Sequence, residues 1–234
     1  MAENNMSVAH TSLTLIVAAT VKNGIGKNGG LPWPMLKKEM AYFARVTKRV
    51  PTPNNTGSVQ SDALKSAILD GTRQNAVIMG RKTWESIPPK FRPLKDRTNV
   101  VISSQDRSKL GDMPEDVIVA SDIASGLEAL SEAVTAGKAL PIGRAYVIGG
   151  SSIYKAALDL EQTKHVLLTR INRDYDCDTF FSSLEDRSDE GNGWQRVGHK
   201  RLSAFVGEDV HEGLMAETHG EEEVRYEFQL YERR

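Results

Sequence analysis

Val77-Ile78-Met79-Gly80-Arg81-Lys82-Thr83-Trp84 runs from an apolar stretch through one glycine into two cations and a threonine. The apolar residues are continuous rather than alternating, which is the pattern of a strand covered on both faces. A helix opening at Arg81 would turn its free N–H groups and positive dipole end toward any anion. Ala145-Tyr146-Val147-Ile148-Gly149-Gly150-Ser151-Ser152-Ile153-Tyr154 repeats the design without the cations. Two glycines there allow close backbone approach, and Ser151 or Ser152 can cap a helix or meet a phosphate oxygen. Each stretch taken alone is equally a tight turn with an ordinary cap. Two in one chain point to a ligand carrying a diphosphate and a further phosphate, for which NADPH is the obvious candidate. Arg81 suits the extra phosphate because a guanidinium pairs with phosphate through two parallel hydrogen bonds.

Working outward, further apolar runs occur at 13–19, 99–103, 117–120 and 166–171. Between the runs lie stretches of helical spacing at 34–46, 61–69, 122–136 and 151–158. Strands alternating with helices predict an α/β fold, a single domain around a mixed, mostly parallel sheet of about eight strands. Residues 225–232 alternate instead, with Tyr226, Phe228 and Leu230 against Glu227, Gln229 and Tyr231. That predicts a C-terminal antiparallel edge strand with one wet face, paired with 194–199. The domain is expected over 13–234, after a polar tail at 1–12. Segments 50–60, 185–193 and 207–223 read as irregular insertions.

Bulk properties exclude several classes. A net charge of −1 over 234 residues gives no global pull toward nucleic acid or an anionic membrane. No apolar run approaches the roughly 20 residues of a membrane span. The first ten residues are polar and include Glu3, unlike a secretory signal. Cys177 is the one cysteine, so no internal disulfide can form; the reading is a reducing, cytoplasmic compartment. Cys177 lies between Asp176 and Asp178, whose charges raise a thiol pKa, so it is not read as a nucleophile. The five histidines are scattered and show no metal-ligand spacing, so no metal is expected.

Glu39 is the residue out of place. On a helical wheel at about 100° per residue with Leu36 at 0°, Phe43, Thr47, Met40 and Val46 form one apolar arc, and Glu39 falls inside it near 300°. A buried acid is costly unless hydrogen-bonded, and desolvation raises its pKa, so such a group is a functional candidate. A slightly rotated helix would instead leave Glu39 at the wet boundary beside Tyr42. Pro34 suits the first turn of this helix. Four glycines between Asn23 and Gly30 precede it, after a buried strand, where α/β sheets bind ligands. They fit a plain flexible connection as well.

Together these residues resemble dihydrofolate reductase. The matching motifs are Ile16-Val17-Ala18-Ala19, Gly24-Ile25-Gly26, Leu31-Pro32-Trp33-Pro34, Glu39 followed by Phe43, and the run from Met79 to Pro88. Arg92-Pro93-Leu94-Lys95-Asp96-Arg97, the run from Ile148 to Tyr154 and Asp178-Thr179-Phe180-Phe181 complete the series. The motifs are long and in order, and the insertions resemble the fungal branch. The resemblance implies reduction of 7,8-dihydrofolate to tetrahydrofolate by NADPH, with hydride to C6 and a proton to N5. It implies that Glu39 holds the amino-pyrimidine edge of the pterin, that Thr169 hydrogen-bonds the Glu39 carboxylate, and that Trp33 fixes a bridging water. Ile16, Val17, Ala18, Leu31, Met40, Phe43, Ile87, Leu94, Ile148 and Tyr154 would line the pterin pocket, and Arg97 would pair with the α-carboxylate of the glutamate tail. Backbone at Ala18, Ile25 and Gly26 would receive the carboxamide. Gly80, Arg81, Lys82 and Thr83, with Gly149, Gly150, Ser151, Ser152 and Ile153, would bind the phosphates. Ser103, Ser104 and Gln105 would line the adenosine end.

The chain departs from the family at two points. Met40 stands where Phe is frequent, which weakens aromatic packing on the pterin. Ser104 stands where an Arg frequently meets the 2′-phosphate, leaving that charge to Arg81 with help from Arg107. Dihydrofolate and antifolate small molecules are the implied partners of a monomer, without nucleic acid or membrane. The NADPH-dependent reductase of riboflavin synthesis shares the architecture but needs neither the Trp33/Glu39 pair nor Arg97. A folate- or nucleotide-binding module without turnover is the non-enzymatic alternative.

Overall fold

The structure, a computed structural model, describes residues 11–51, 72–184 and 193–234. The polar tail up to residue 10, the expected helix at 61–69, and nearly all of the insertions at 50–60 and 185–193 lie outside them.

The apolar runs form the strands expected of them. These are β1 (Leu13–Thr20), β3 (Gln74–Gly80), β4 (Arg97–Ile102), β5 (Ile118–Ala120), β6 (Ile142–Gly149) and β7 (Thr163–Ile171). All six pair in parallel, in the order β7-β1-β6-β3-β4-β5. Beside β7 the sheet turns antiparallel through β11 (Glu222–Arg233) and then β10 (Met215–His219), while β9 (Trp194–Arg196) pairs with the far end of β11. Among the described residues the main sheet thus has nine strands. Its C-terminal edge is antiparallel as expected, but β11 lies inside that edge, covered by β10 and β9.

The helices are α1 (Lys37–Lys48), α2 (Arg81–Ser86), α3 (Ile123–Thr135), α4 (Ser151–Asp159) and α5 (His199–Val206). They cover both faces. One core cluster gathers Val17, Ile78, Val100 and Val147 with Leu127 and Leu130 of α3 and Ala157 and Leu158 of α4. The other gathers Ile16, Val77, Val101 and Leu167 with Tyr42 and Val46 of α1 and Leu202 and Phe205 of α5. Parallel strands buried on both sides cannot spare alternate positions for water, which is why their sequences read as unbroken apolar runs. Helix α3 starts at Asp122, whose carboxylate accepts from the Ser125 N–H at 2.8 Å while the Ser125 hydroxyl accepts from the Asp122 N–H at 3.2 Å.

Three expectations change. Helix α1 begins at Lys37, not around Pro34, with Leu36 as its N-cap residue. The glycine-rich loop is partly ordered: β2 (Gly24–Gly26) pairs with β8 (Thr179–Phe180), and Lys27 bridges Gly30. Gly24 is required there, because a Cβ would fall 2.3 Å from the Cys177 Sγ. Segment 207–223 is irregular only over 207–214, since beyond it β10 forms a hairpin with β11 from Met215↔Tyr226 to His219↔Glu222. Its exposed, charged residues alternate against the partner strand, and composition alone concealed the pairing.

Candidate active site

Glu39 is buried, with 8% of its surface exposed. Its Oε1 accepts a hydrogen bond from the Thr169 hydroxyl at 3.1 Å. Strand register explains the meeting: Thr169 pairs with Ala18 on one side and Phe228 on the other, so it lies mid-sheet beneath α1. Burial drives the Glu39 pKa up to about 7, the Thr169 bond opposes this, and the charge of Glu217 adds to it. The side of α1 packed on the sheet carries Tyr42, Val46 and Glu39. Tyr42 stacks on Phe228 with ring centroids 3.9 Å apart. The wheel placed Glu39 inside the apolar arc, between Val46 and Phe43; in the fold Leu36, Glu39, Val46 and Thr47 of that stretch are buried, and Met40 and Phe43 lie on the more open flank. Met40 is 44% exposed and Phe43 half-buried. A helix covered on one flank and open on the other produces that split.

Around this carboxyl stand most of the expected pocket residues. Ile16 and Trp33 are buried in one cluster, and Ala18, Phe43, Ile87, Leu94 and Ile148 pack against it half-buried. Trp33 meets Tyr175 edge-on at 6.2 Å. Leu31 is 53% exposed at the rim. Val17 and Tyr154 are the exceptions, both packing in the cluster on the other face of the sheet. Strand alternation sends the Val17 side chain to that face with Tyr154 and Phe181, so it does not share the Ile16 and Ala18 surface. The Tyr154 hydroxyl donates to the Ile16 carbonyl at 2.7 Å and so fixes the β1 backbone at the pocket.

Arg97 is buried, and burial lowers its pKa, with only the Asp96 charge opposing. Its Nη1 donates to the Thr47 hydroxyl at 2.9 Å and its Nε to the Lys95 carbonyl at 3.0 Å. Among the described residues no carboxylate pairs with it. A desolvated guanidinium without an anion is suited to receive one. Asn99, which the sequence reading passed over, holds the approach to Arg97. Its Oδ1 accepts from Leu94 N–H at 2.9 Å, and its Nδ2 donates to the Leu94 and Arg97 carbonyls at 2.9 and 2.8 Å. An amide at the head of the apolar 99–103 run was the available signal.

The two strand-to-helix turns converge. Their strands β3 and β6 are neighbours, and Met79 pairs with Gly149. A Cβ on Gly80 would lie 3.0 Å from Ile153 Cγ1, and one on Gly149 or Gly150 would lie 3.4 or 3.3 Å from Thr83 Oγ1. Gly149 has φ of +123°, a conformation that favours glycine. No side chain caps either helix, so the Ser151 and Ser152 N–H groups carry no side-chain cap, while the Ile153 and Tyr154 N–H groups donate to the Gly150 carbonyl at 3.0 and 2.9 Å. Arg81 is half-buried and paired with Glu85 at 2.7 Å, Lys82 is exposed, and Thr83 is half-buried. At the end of β4, the Ser103 hydroxyl accepts from the Gln105 N–H at 3.0 Å, and Ser104 and Gln105 are exposed. Arg107 is not available to a phosphate as expected. Its guanidinium donates to the carbonyls of Val117, Met113 and Pro114, closing the loop before β5. Ile25 and Gly26 lie half-buried on β2, next to the core that holds Val17.

Set beside known proteins, residues 66–203 match the family model described as dihydrofolate reductase. The chain belongs to the dihydrofolate reductase family. It is 40% identical over 223 residues to the dihydrofolate reductase of Pneumocystis carinii, covering 95% of this chain and 97% of that one. It is 41% identical over 226 residues to the Schizosaccharomyces pombe protein of that name, covering 94% of this chain but only 46% of the relative's length. A solved structure of Schistosoma mansoni dihydrofolate reductase superposes with a TM-score of 0.68 at 29% identity, covering 95% of this chain and 98% of that one. Membership in this family assigns an oxidoreductase that uses a nicotinamide cofactor. Among the described residues, no helix is long and apolar enough to cross a membrane.

Glu217 is a second residue, after Asn99, that the sequence did not single out. It was placed in a surface excursion, yet its carboxylate accepts from the Lys38 and Glu39 N–H groups.

Proposed function

We propose that this chain reduces 7,8-dihydrofolate to tetrahydrofolate with NADPH, using Glu39 as the one acid of the pocket. The observation that carries this reading is the buried Glu39 carboxyl, hydrogen-bonded by Thr169 on β7, on the same sheet whose neighbouring strands β3 and β6 end in the pair of glycine turns. The turns suit the cofactor: a Cβ at Gly80 or Gly150 would press on Ile153 or Thr83, so glycine lets the two turns pack close together, and the Ser151 and Ser152 N–H groups without a side-chain cap, with Arg81 and Lys82, suit phosphates. When bound there, NADPH supplies the hydride.

The rest falls to the chain's own residues. Protonated Glu39 presents one donor and one acceptor to an amino-pyrimidine edge, and Thr169 fixes the carboxyl's rotation. A pKa near 7 lets Glu39 hold a proton at working pH and polarise the ring, while an ordered water by Trp33 delivers the proton to N5. The β2–β8 flap with residues 27–31 excludes bulk water, and Met40, Phe43 and Ile87 flank the ring plane. Arg97 takes the α-carboxylate of the glutamate tail, which favours a folate over the pyrimidine of riboflavin synthesis. Arg81 takes the 2′-phosphate after releasing Glu85, which favours NADPH over NADH. We read the protein as a cytoplasmic monomer whose partners are dihydrofolate and antifolate small molecules.

NADPH consumption with and without dihydrofolate tests the reading. Dihydrofolate-dependent oxidation, stronger with NADPH than with NADH, is expected. Oxidation that ignores dihydrofolate, or requires a riboflavin precursor, overturns it.

A further inference from the structure

Helix α1 has no cap of its own. Its N-cap residue is Leu36, which offers no side-chain acceptor, so the first N–H groups would be left without partners. The cap comes from β10. Both Glu217 carboxylate oxygens accept from the Lys38 N–H at 3.0 Å, and Oε1 accepts from the Glu39 N–H at 3.3 Å. The Tyr226 hydroxyl donates to the same Oε1 at 2.6 Å. Glu217 is held in register by pairing with Val224, and Tyr226 is fully buried beneath it. A carboxylate from the last hairpin therefore sits on the first turn of the helix that carries the acid, bonded to the backbone of that acid.

From this geometry we propose that Glu217 is a positioning residue for the reduction: it locks the first turn of α1 so that Glu39 faces Thr169, and sets a permanent negative charge beside Glu39 so that the proton stays there. The proposal rests on the reading of Glu39 as the acid of the pocket.

Two carboxyls so placed cannot both ionise cheaply, and the environment decides which one does. Burial alone would raise the Glu217 pKa, but the Tyr226 hydroxyl and the Lys38, Glu39 and Lys37 N–H groups outweigh it and hold the carboxyl below its ordinary range. The helix dipole favours the same charge state. Glu39 has one hydroxyl donor, Thr169, against strong burial. The titratable groups that face Glu39 are Tyr42 on α1, Tyr154 on α4, Tyr226 on β11 and Glu217 on β10. Burial raises all three tyrosines, so they stay neutral through the working range. Glu217 is then the charge that acts on Glu39. One side chain thus both orients the acid and biases its protonation.

Activity profiles against pH for Glu217→Gln and Glu217→Asp test the proposal. In Glu217→Gln, the alkaline limb of kcat/KM for dihydrofolate is expected to move down by roughly half a pH unit, with the KM for NADPH within about twofold of wild type. Glu217→Asp keeps the charge and should return the limb toward wild type. A purely structural cap would lower the rate by one factor at every pH; a reduced rate with an unmoved limb overturns the proposal. Should the glutamine variant fail to fold, carbon-detected NMR titration of the wild-type glutamate carboxyls decides without it. Glu39 is expected near 7 and Glu217 below 4.5; a Glu39 titrating in the ordinary carboxylate range overturns the proposal. Near-normal turnover of Glu39→Gln would instead end the underlying reading of the acid. An inactive Glu39→Gln beside an unmoved Glu217→Gln limb would end this proposal alone.

Discussion

The two ends of the proposed site are built on opposite principles. At the acid end, chemistry is concentrated in one buried side chain, Glu39, whose position depends on α1, β7 and β10 together. At the proposed phosphate end it is spread over backbone, with glycines at 80, 149 and 150 where the two turns pack together and no side-chain cap on the first N–H groups of α4. A polarising group must be a single atom in a dry, defined place. A phosphate can be held by many weak, redundant donors. The contrast implies that the acid end fails by deletion and the phosphate end by addition.

The largest expected effect is at the acid end. Glu39→Gln should lower dihydrofolate turnover at neutral pH by about 100-fold or more while leaving NADPH affinity intact. Turnover within a few-fold of wild type would remove the contrast. The same variant should change stability in the other direction. The folded-state pKa of Glu39 is raised to about 7 from 4.5, so between those values the folded chain binds more protons than the unfolded one and stability falls as pH rises. Glu39→Gln removes that loss. Its Tm should exceed wild type at pH 8 by an amount worth roughly 3 kcal/mol, with little difference at pH 4. Equal Tm differences at both pH values would show that the carboxyl is not desolvated. His165 works oppositely: burial pulls its pKa down to about 4, so its contribution is lost as pH falls below its unfolded value.

At the phosphate end, Gly149→Ala adds one methyl where φ is +123°. It should weaken NADPH binding by about tenfold or more through backbone strain, without moving the pH profile. Unchanged affinity by cofactor fluorescence titration would break the view that backbone conformation carries this end. Arg97→Leu should raise KM for dihydrofolate by about tenfold and leave that for a pterin lacking the glutamate nearly unchanged. Equal effects on both substrates would reassign Arg97 to holding Thr47 and Lys95. The smallest effect is expected for Arg81→Ala, a severalfold rise in KM for NADPH with NADH unaffected, because its half-buried charge already shares Glu85. Parallel losses for both cofactors would take the 2′-phosphate away from Arg81.

The sequence alone determined the parallel sheet, because strands buried on both faces must be written as unbroken apolar runs, and β1, β3, β4, β6 and β7 lie where those runs lie. It also determined both glycine turns, whose helices begin at Arg81 and Ser151, since positive φ and close approach restrict the residues locally. The oddness of Glu39 was legible, but its burial was not, because a wheel cannot show which flank of α1 meets the sheet. Only the tertiary structure turned Val17 away from the pocket, tied Arg107 to loop carbonyls, and brought Glu217 onto α1 from 178 residues away. Periodicity records which face of an element is dry. It carries no record of which distant polar group will arrive there, since a charged strand and a charged loop have the same composition until a partner strand selects between them.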